Sequence, residues 1–94
     1  MAAIFTAGRT TDFDGSGAAD TATGPIVVTF KSNALAVGKP LLRLFSRSGT
    51  AGYVETHKTS ESGRFIANLA SGDDYYFTVN IPTGATADLD VVAQ

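Results

Sequence analysis

The stretch "RFIANLASGDDYYFTVNI" (residues 64–81) decides the fold class. It contains two runs rich in β-branched and aromatic residues, "RFIANL" (64–69) and "YYFTVNI" (75–81), with Gly72-Asp73-Asp74 between them. Short runs of this composition, bounded by Gly, Asp and Ser, are typical of β-strands. Asp73 and Asp74 are interpreted as hairpin turn residues rather than as a carboxylate pair. The stretch therefore predicts two strands joined by a tight turn.

Four further segments have the same character and occur at regular intervals along the chain. They are "IVVTF" (26–30), "LLRLF" (41–45), "YVETHKT" (53–59) and "DLDVVA" (88–93). No window shows an apolar helical stripe with caps. We therefore expect an all-β protein, a small antiparallel β-sandwich of six strands, or of seven if Ala3–Thr6 pairs with an edge.

The first 24 residues differ from the remainder of the chain. They are rich in Ala, Thr, Gly, Ser and Asp, and their sizeable apolar residues are Ile4, Phe5 and Phe13. A segment of this composition cannot build a core of its own. We predict a flexible or extended N-terminal arm at 1–24, which mediates self-association or attachment, and a β-sandwich domain at 25–94.

Length, charge and composition exclude several classes of protein. The 94 residues form one small domain, and a net charge of −2 provides no basic surface for nucleic acid. The chain has no cysteine, which excludes disulfides and thiolate metal sites. Its longest apolar run, "PIVV" (25–28), is too short to span a bilayer, and the N-terminus lacks the basic region of a secretory signal. We expect synthesis in the cytoplasm and no membrane insertion.

The acidic loop "DFDGSGAAD" (12–20) resembles a calcium-binding loop. Its oxygen-bearing side chains at the spacing of an EF-type loop are Asp12, Asp14, Ser16 and Asp20. The position that normally supplies a bidentate Glu is Thr23, and neither flank has a helical pattern. A polar hinge is the favoured interpretation and a weak calcium site is the alternative. No other cofactor is expected.

Single side chains with reactive or binding potential are few. His57, the only histidine, has no recognisable nucleophile or base near it, so we interpret it as a solvent-facing residue on the same face as Glu55. Since neighbours in a strand alternate faces, one of Tyr75 and Tyr76 is expected in the core and the other at the surface. Exposed tyrosines, Tyr53 or Tyr76, are candidates for an interface.

Residues 38–81, "GKPLLRLFSRSGTAGYVETHKTSESGRFIANLASGDDYYFTVNI", show a specific resemblance. They resemble the carboxypeptidase regulatory-like, or prealbumin-like (transthyretin-like), β-sandwich family. In that family a V-R-L-F/Y strand leads through R-x-x-G into a Thr-rich strand, followed by S-x-x-G-x-F, L-x-x-G and Y-Y-x-x-V. The matching positions are Leu42, Arg43, Leu44, Phe45, Arg47, Gly49, Thr56, Ser62, Gly63, Phe65, Leu69, Gly72, Tyr75, Tyr76 and Val79.

The resemblance implies an immunoglobulin-like or prealbumin-like sandwich, with Gly63 in a left-handed turn and with Phe65 and Leu69 facing the core. A hydrolase branch of the family uses several histidines and a C-terminal motif, and this chain has neither. The combination of "RLFSRSG", "SESGRF" and "YYFTV" also looks like versions of this domain in short proteins of tailed bacteriophages, especially virion proteins.

The expected function is therefore that of a non-enzymatic bacteriophage virion protein, either a head decoration or a tail-associated component. Such a protein is made in the host cytoplasm, resides in the virion, and binds copies of itself and other virion proteins. Two alternatives remain open. One is a carbohydrate- or cell-surface-binding adhesion module that stacks Tyr53 or Tyr76 on sugar rings. The other is a calcium-stabilised β-module.

Overall fold

A computed structural model describes residues 8–34 and 41–94, which contain strands and no helix. The strands are β1 (Phe13–Asp14), β2 (Asp20–Thr21), β3 (Ile26–Ser32), β4 (Leu42–Arg47), β5 (Val54–Thr59), β6 (Gly63–Ala67), β7 (Asp74–Val79) and β8 (Ala87–Ala93). The all-β prediction is confirmed, and each of the six predicted segments overlaps one of the strands β3 to β8. Two short strands add to them, whereas the proposed strand Ala3–Thr6 lies outside the described residues.

The strands form two antiparallel sheets. The three-stranded sheet has the order β6-β3-β8, and the larger sheet has the order β1-β7-β4-β5, with β2 also paired to β7. In the constant-type immunoglobulin order the last two strands share a sheet. Here β7 and β8 lie in different sheets, so the immunoglobulin order is not observed.

One hydrophobic core lies between the sheets. Alternate residues of each strand point inward: Val28 and Phe30 from β3 meet Leu42 and Leu44 from β4 and Phe77 from β7. All five are at most 1% exposed. This period-two burial from two facing sheets is consistent with a small β-sandwich.

The described part of the predicted arm, residues 8–24, runs along one side of this sandwich. Arg9 exchanges two backbone hydrogen bonds with Ala87 at the start of β8. Phe13 then pairs with β7 of the larger sheet, and Ala22 is buried in the core. The segment therefore connects the edges of both sheets, and its backbone groups are hydrogen-bonded to the sandwich.

Two expectations about turns were wrong. Gly63 is the first residue of β6 and does not have a positive φ, whereas Gly49 and Gly72 do, at 58° and 95°. The segment around Asp73 is not a hairpin turn, because β6 and β7 belong to different sheets and this loop crosses from one to the other. Asp73 instead accepts hydrogen bonds from the backbone N–H of Ala70 and the hydroxyl of Ser48.

Candidate docking surfaces

The outer face of the three-stranded sheet carries a row of three apolar side chains. The strand register places Val27 of β3 directly beside Ile66 of β6 and Val92 of β8. Val27 is outside the core because its neighbours Ile26 and Val28 point inward. Ile66 and Val92 are 49% and 50% exposed, and between them Val27 is 8% exposed. We call these three residues the aliphatic row.

Charged side chains lie next to the aliphatic row on the same face. Thr29 of β3 pairs with Arg64 on one side and Asp90 on the other, so this second row is basic at its β6 end and acidic at its β8 end. Further along, Lys31 pairs with Asp88. Arg64 and Asp90 form no ion pair with any residue in the described ranges. Both are exposed and available to an external partner.

The larger sheet carries an aromatic cluster on its outer face. Phe45 and Tyr76 are cross-strand neighbours with stacked rings whose centroids are 5.0 Å apart. Tyr53 meets Tyr76 edge to face at 4.8 Å, and the Arg47 guanidinium lies 4.4 Å from the Tyr53 ring centroid. Burial raises the pKa of the Tyr76 hydroxyl, and the nearby Asp14 carboxylate adds to this. Aromatic rings beside a guanidinium form a surface with both apolar and hydrogen-bonding character.

Ion pairs surround the aromatic cluster. Arg43 Nη1 lies 3.1 Å from Glu55 Oε2, and Arg47 Nε lies 3.5 Å from Asp74 Oδ2. The buried Nε of Arg47 makes no hydrogen bond, and Asp74 Oδ2 instead accepts one from Arg47 Nη2 at 3.5 Å. Arg64 lies on the other sheet. Arg43, Arg47 and Arg64 therefore do not form one basic surface.

A cleft of about 330 Å³ opens between the edge strands β5 and β6. Its lining includes Leu44, Leu69 and the stacked rings of His57 and Phe65, whose centroids are 3.6 Å apart. Burial lowers the pKa of His57 from its ordinary value of 6.5.

The solvent-facing assignment of His57 was wrong because of a β-bulge. The register of β4 and β5 shifts between Leu44 and Phe45, so Leu44 pairs with His57 while Phe45 pairs with Glu55. Glu55 thus points outward and His57 points toward the core. A bulge inserts one residue and reverses the alternation beyond it.

The acidic loop uses its carboxylates to hold the backbone. Asp12 Oδ1 accepts a hydrogen bond of 2.6 Å from the N–H of Ile81, and Asp14 Oδ1 accepts one from the N–H of Ser16. The Ser16 backbone and hydroxyl lower the pKa of Asp14. Asp20 begins β2. Throughout residues 8–34 and 41–94, no group of three or more His, Asp or Glu side chains is placed to hold a metal ion.

The predicted interface residues do not form one surface. Tyr53 and Tyr76 come together in the aromatic cluster, while Tyr75 is in the core at 7% exposure, as expected for one of the two neighbouring tyrosines. Phe13 packs against the core and lies under the Arg9 guanidinium. Ile4 and Phe5 lie outside the described residues.

Sequence reasoning missed the aliphatic row. Alternation in "RFIANL" places Ile66 on the opposite face of its strand from Phe65. In "DLDVVA" it likewise places Val92 on the opposite face from Val91. Those patterns give each residue a face, but not its neighbours on the adjacent strand. The run "IVV" is apolar on both faces and does not show that Val27 points outward.

Comparisons of the chain with protein-family models, with curated proteins and with solved structures find no match. Among the residues that the structure describes, no helix is long and apolar enough to cross a membrane.

Proposed function

We propose that this protein is a non-enzymatic structural or accessory protein of a bacteriophage virion, in the head or the tail, that acts by docking. The observation that carries the docking part is the aliphatic row on the outer face of β6-β3-β8. Single exposed aliphatic residues are ordinary, but Val27, Ile66 and Val92 are neighbours across three strands, and adjoining apolar side chains on one face indicate an interaction surface.

The apolar surface that a partner would cover supports a docking role for the aliphatic row. Ile66 and Val92 are each about half exposed to water. Covering them would recover on the order of 1 kcal/mol per side chain. The flanking charges of Arg64 and Asp90 keep the face soluble and give an attached partner a defined orientation.

The assignment to a virion is supported by the resemblance of residues 38–81 to the prealbumin-like domain in tailed-phage proteins. On this proposal the chain is made in the host cytoplasm, resides in the particle, and contacts copies of itself and other virion proteins. The test is to purify particles from a host that expresses the gene and to look for the chain by mass spectrometry. Its absence from intact particles would overturn the assignment.

The docking surface has a matched pair of variants. Val92→Asp places a charge in the aliphatic row, whereas Val54→Asp places one on β5 at a valine that is similarly exposed, at 59%. We expect Val92→Asp to be lost from particles on gradient sedimentation and Val54→Asp to remain bound. Equal retention of both variants would show that the row is not the docking surface.

A carbohydrate-binding function is the second candidate, and the contact of Tyr53 with Tyr76 favours it. Two aromatic rings 4.8 Å apart with Arg47 beside them provide both a stacking surface and hydrogen-bond donors, as sugar recognition requires. Binding on a glycan array that is abolished by Tyr53→Ala and by Tyr76→Ala, but not by Ile66→Ala on the opposite sheet, would establish this function.

A further inference from the structure

We propose that the partner of the aliphatic row is a second copy of this chain, related by a two-fold axis parallel to β3. This inference rests on the proposed docking function and identifies the occupant of the same surface. The two copies stack their three-stranded sheets face to face, each contributing the outer face of β6-β3-β8.

The order of strands makes this surface self-complementary. β3 is central, with β6 on one side and β8 on the other. Rotation by 180° about an axis along β3 brings β6 of one copy over β8 of the other. Ile66 then lies over Val92 of the second copy at both ends of the row, and Val27 lies over its own equivalent. Such an interface is isologous, as in most two-fold dimers.

The charges agree with the same rotation. Arg64 and Asp90 occupy opposite ends of one row, so Arg64 of each copy lies over Asp90 of the other, and two ion pairs form. The two Lys31 side chains, one from each copy, lie near the axis. Each has Asp88 of its own copy on one side and Asp88 of the second copy on the other. In this orientation the charged residues of the face are therefore complementary to those of the second copy. The reverse orientation, with β6 over β6 and a two-fold axis across the aliphatic row, holds Arg64 of each copy away from Asp90 of the other, so neither ion pair forms.

The size of the face determines the expected strength. A face three strands wide is at the lower end of the range for specific interfaces. We therefore expect a reversible dimer whose population depends on concentration.

Two single charge reversals test the orientation directly. Arg64→Asp makes both ends of the second row acidic, and Asp90→Arg makes both ends basic. In a homodimer each variant opposes like charges, which we expect to weaken association by at least about tenfold. In an equimolar mixture the two variants can form a heterodimer. Both ends of the acidic variant's second row then face both ends of the basic variant's second row. Sedimentation velocity over a concentration series should show a dimer for the wild type and for the mixture, and monomers for each variant alone.

Other outcomes overturn the inference in distinguishable ways. A dimer that persists in both single variants, or a mixture that stays monomeric, rejects the two-fold contact. A wild type that is monomeric until residues 1–7 are deleted shows that this segment of the chain occupies the row. A monomeric wild type that still loses particle binding with Val92→Asp rejects the second copy but leaves the docking function intact. Thermal unfolding of each variant verifies that it is folded.

Discussion

The imidazole of His57 lies flat on the ring of Phe65, with centroids 3.6 Å apart and planes inclined by 14°. His57 belongs to β5, at the edge of the larger sheet, and Phe65 to β6, at the edge of the three-stranded sheet. The stack therefore joins the two sheets on the side where the cleft opens. On the opposite side the same role is taken by backbone hydrogen bonds of residues 8–24.

Stability should depend on the charge of His57. Burial holds its pKa below the ordinary value of 6.5, so the unfolded chain binds the proton first as the pH falls. The free energy of unfolding should therefore decrease as the pH falls through about 6.5 toward the lower folded pKa, and it should be unaffected well above that window. His57→Phe keeps an aromatic ring on Phe65 and removes the titration. Urea unfolding between about pH 7.5 and pH 5 should show a steeper loss for the wild type than for the variant, and parallel curves would contradict the prediction.

The hydrogen bond from Ile81 to Asp12 should contribute measurably to stability. A bond to a charged acceptor is worth about 1.5–3 kcal/mol, and since Asp12 is exposed we expect Asp12→Ala to cost about 1–2 kcal/mol. Asp12→Asn keeps an acceptor oxygen and should cost less. Asp14→Ala is the matched control, because its partner Ser16 is local and exposed.

The same variants test the calcium alternative. If Asp12 acts only through Ile81, denaturant unfolding should give the same loss in calcium and in chelator. A wild-type stability that falls on chelation, and a loss in Asp12→Ala that is seen only with calcium, would support a calcium-stabilised loop instead.

Two glycines should respond differently to alanine. Gly72 has a φ of 95°, where an L side chain is strained, so Gly72→Ala should lower the free energy of unfolding by about 1 kcal/mol or more. Gly63 lies in β6 without a positive φ, and a Cβ there meets no atom within 4 Å. Gly63→Ala should therefore be neutral or slightly stabilising in the same denaturant titration. A large decrease in the free energy of unfolding for Gly63→Ala would contradict this prediction and favour the left-handed turn expected at Gly63 from the sequence.

Truncation should separate the two parts of the predicted arm. Removing residues 1–24 deletes Phe13 and Ala22 from the sandwich and leaves one edge of β7 unpaired. We therefore expect this truncated protein to aggregate and to lose its cooperative unfolding transition. Removing residues 1–7 leaves the contacts of Phe13 and Ala22 in place, so we expect the truncation of residues 1–24 to lower the melting temperature more than this one. Circular dichroism melts of both truncations provide the comparison.

From the sequence alone, six of the eight strands that the structure describes could be located, whereas the two-residue strands β1 and β2 were missed. Each of the six predicted segments overlaps a strand, with ends shifted by at most two residues, because the signals are local: β-branched and aromatic runs ended by turn residues such as Gly72. The same local alternation predicted that one of Tyr75 and Tyr76 is in the core, and the structure places Tyr75 there. It failed at His57, because a bulge depends on how β5 meets β4 and not on the residues of β5 alone.

The tertiary structure alone decided which strands are neighbours. β6 and β7 are consecutive in the chain, yet they belong to different sheets, while β8 returns to pair with β3. The aliphatic row therefore joins residues 27, 66 and 92, whose separation in the chain carries no local signal. A strand's own pattern fixes which side chains share a face, but the adjacent strand is selected by core packing and long-range hydrogen bonding across the molecule.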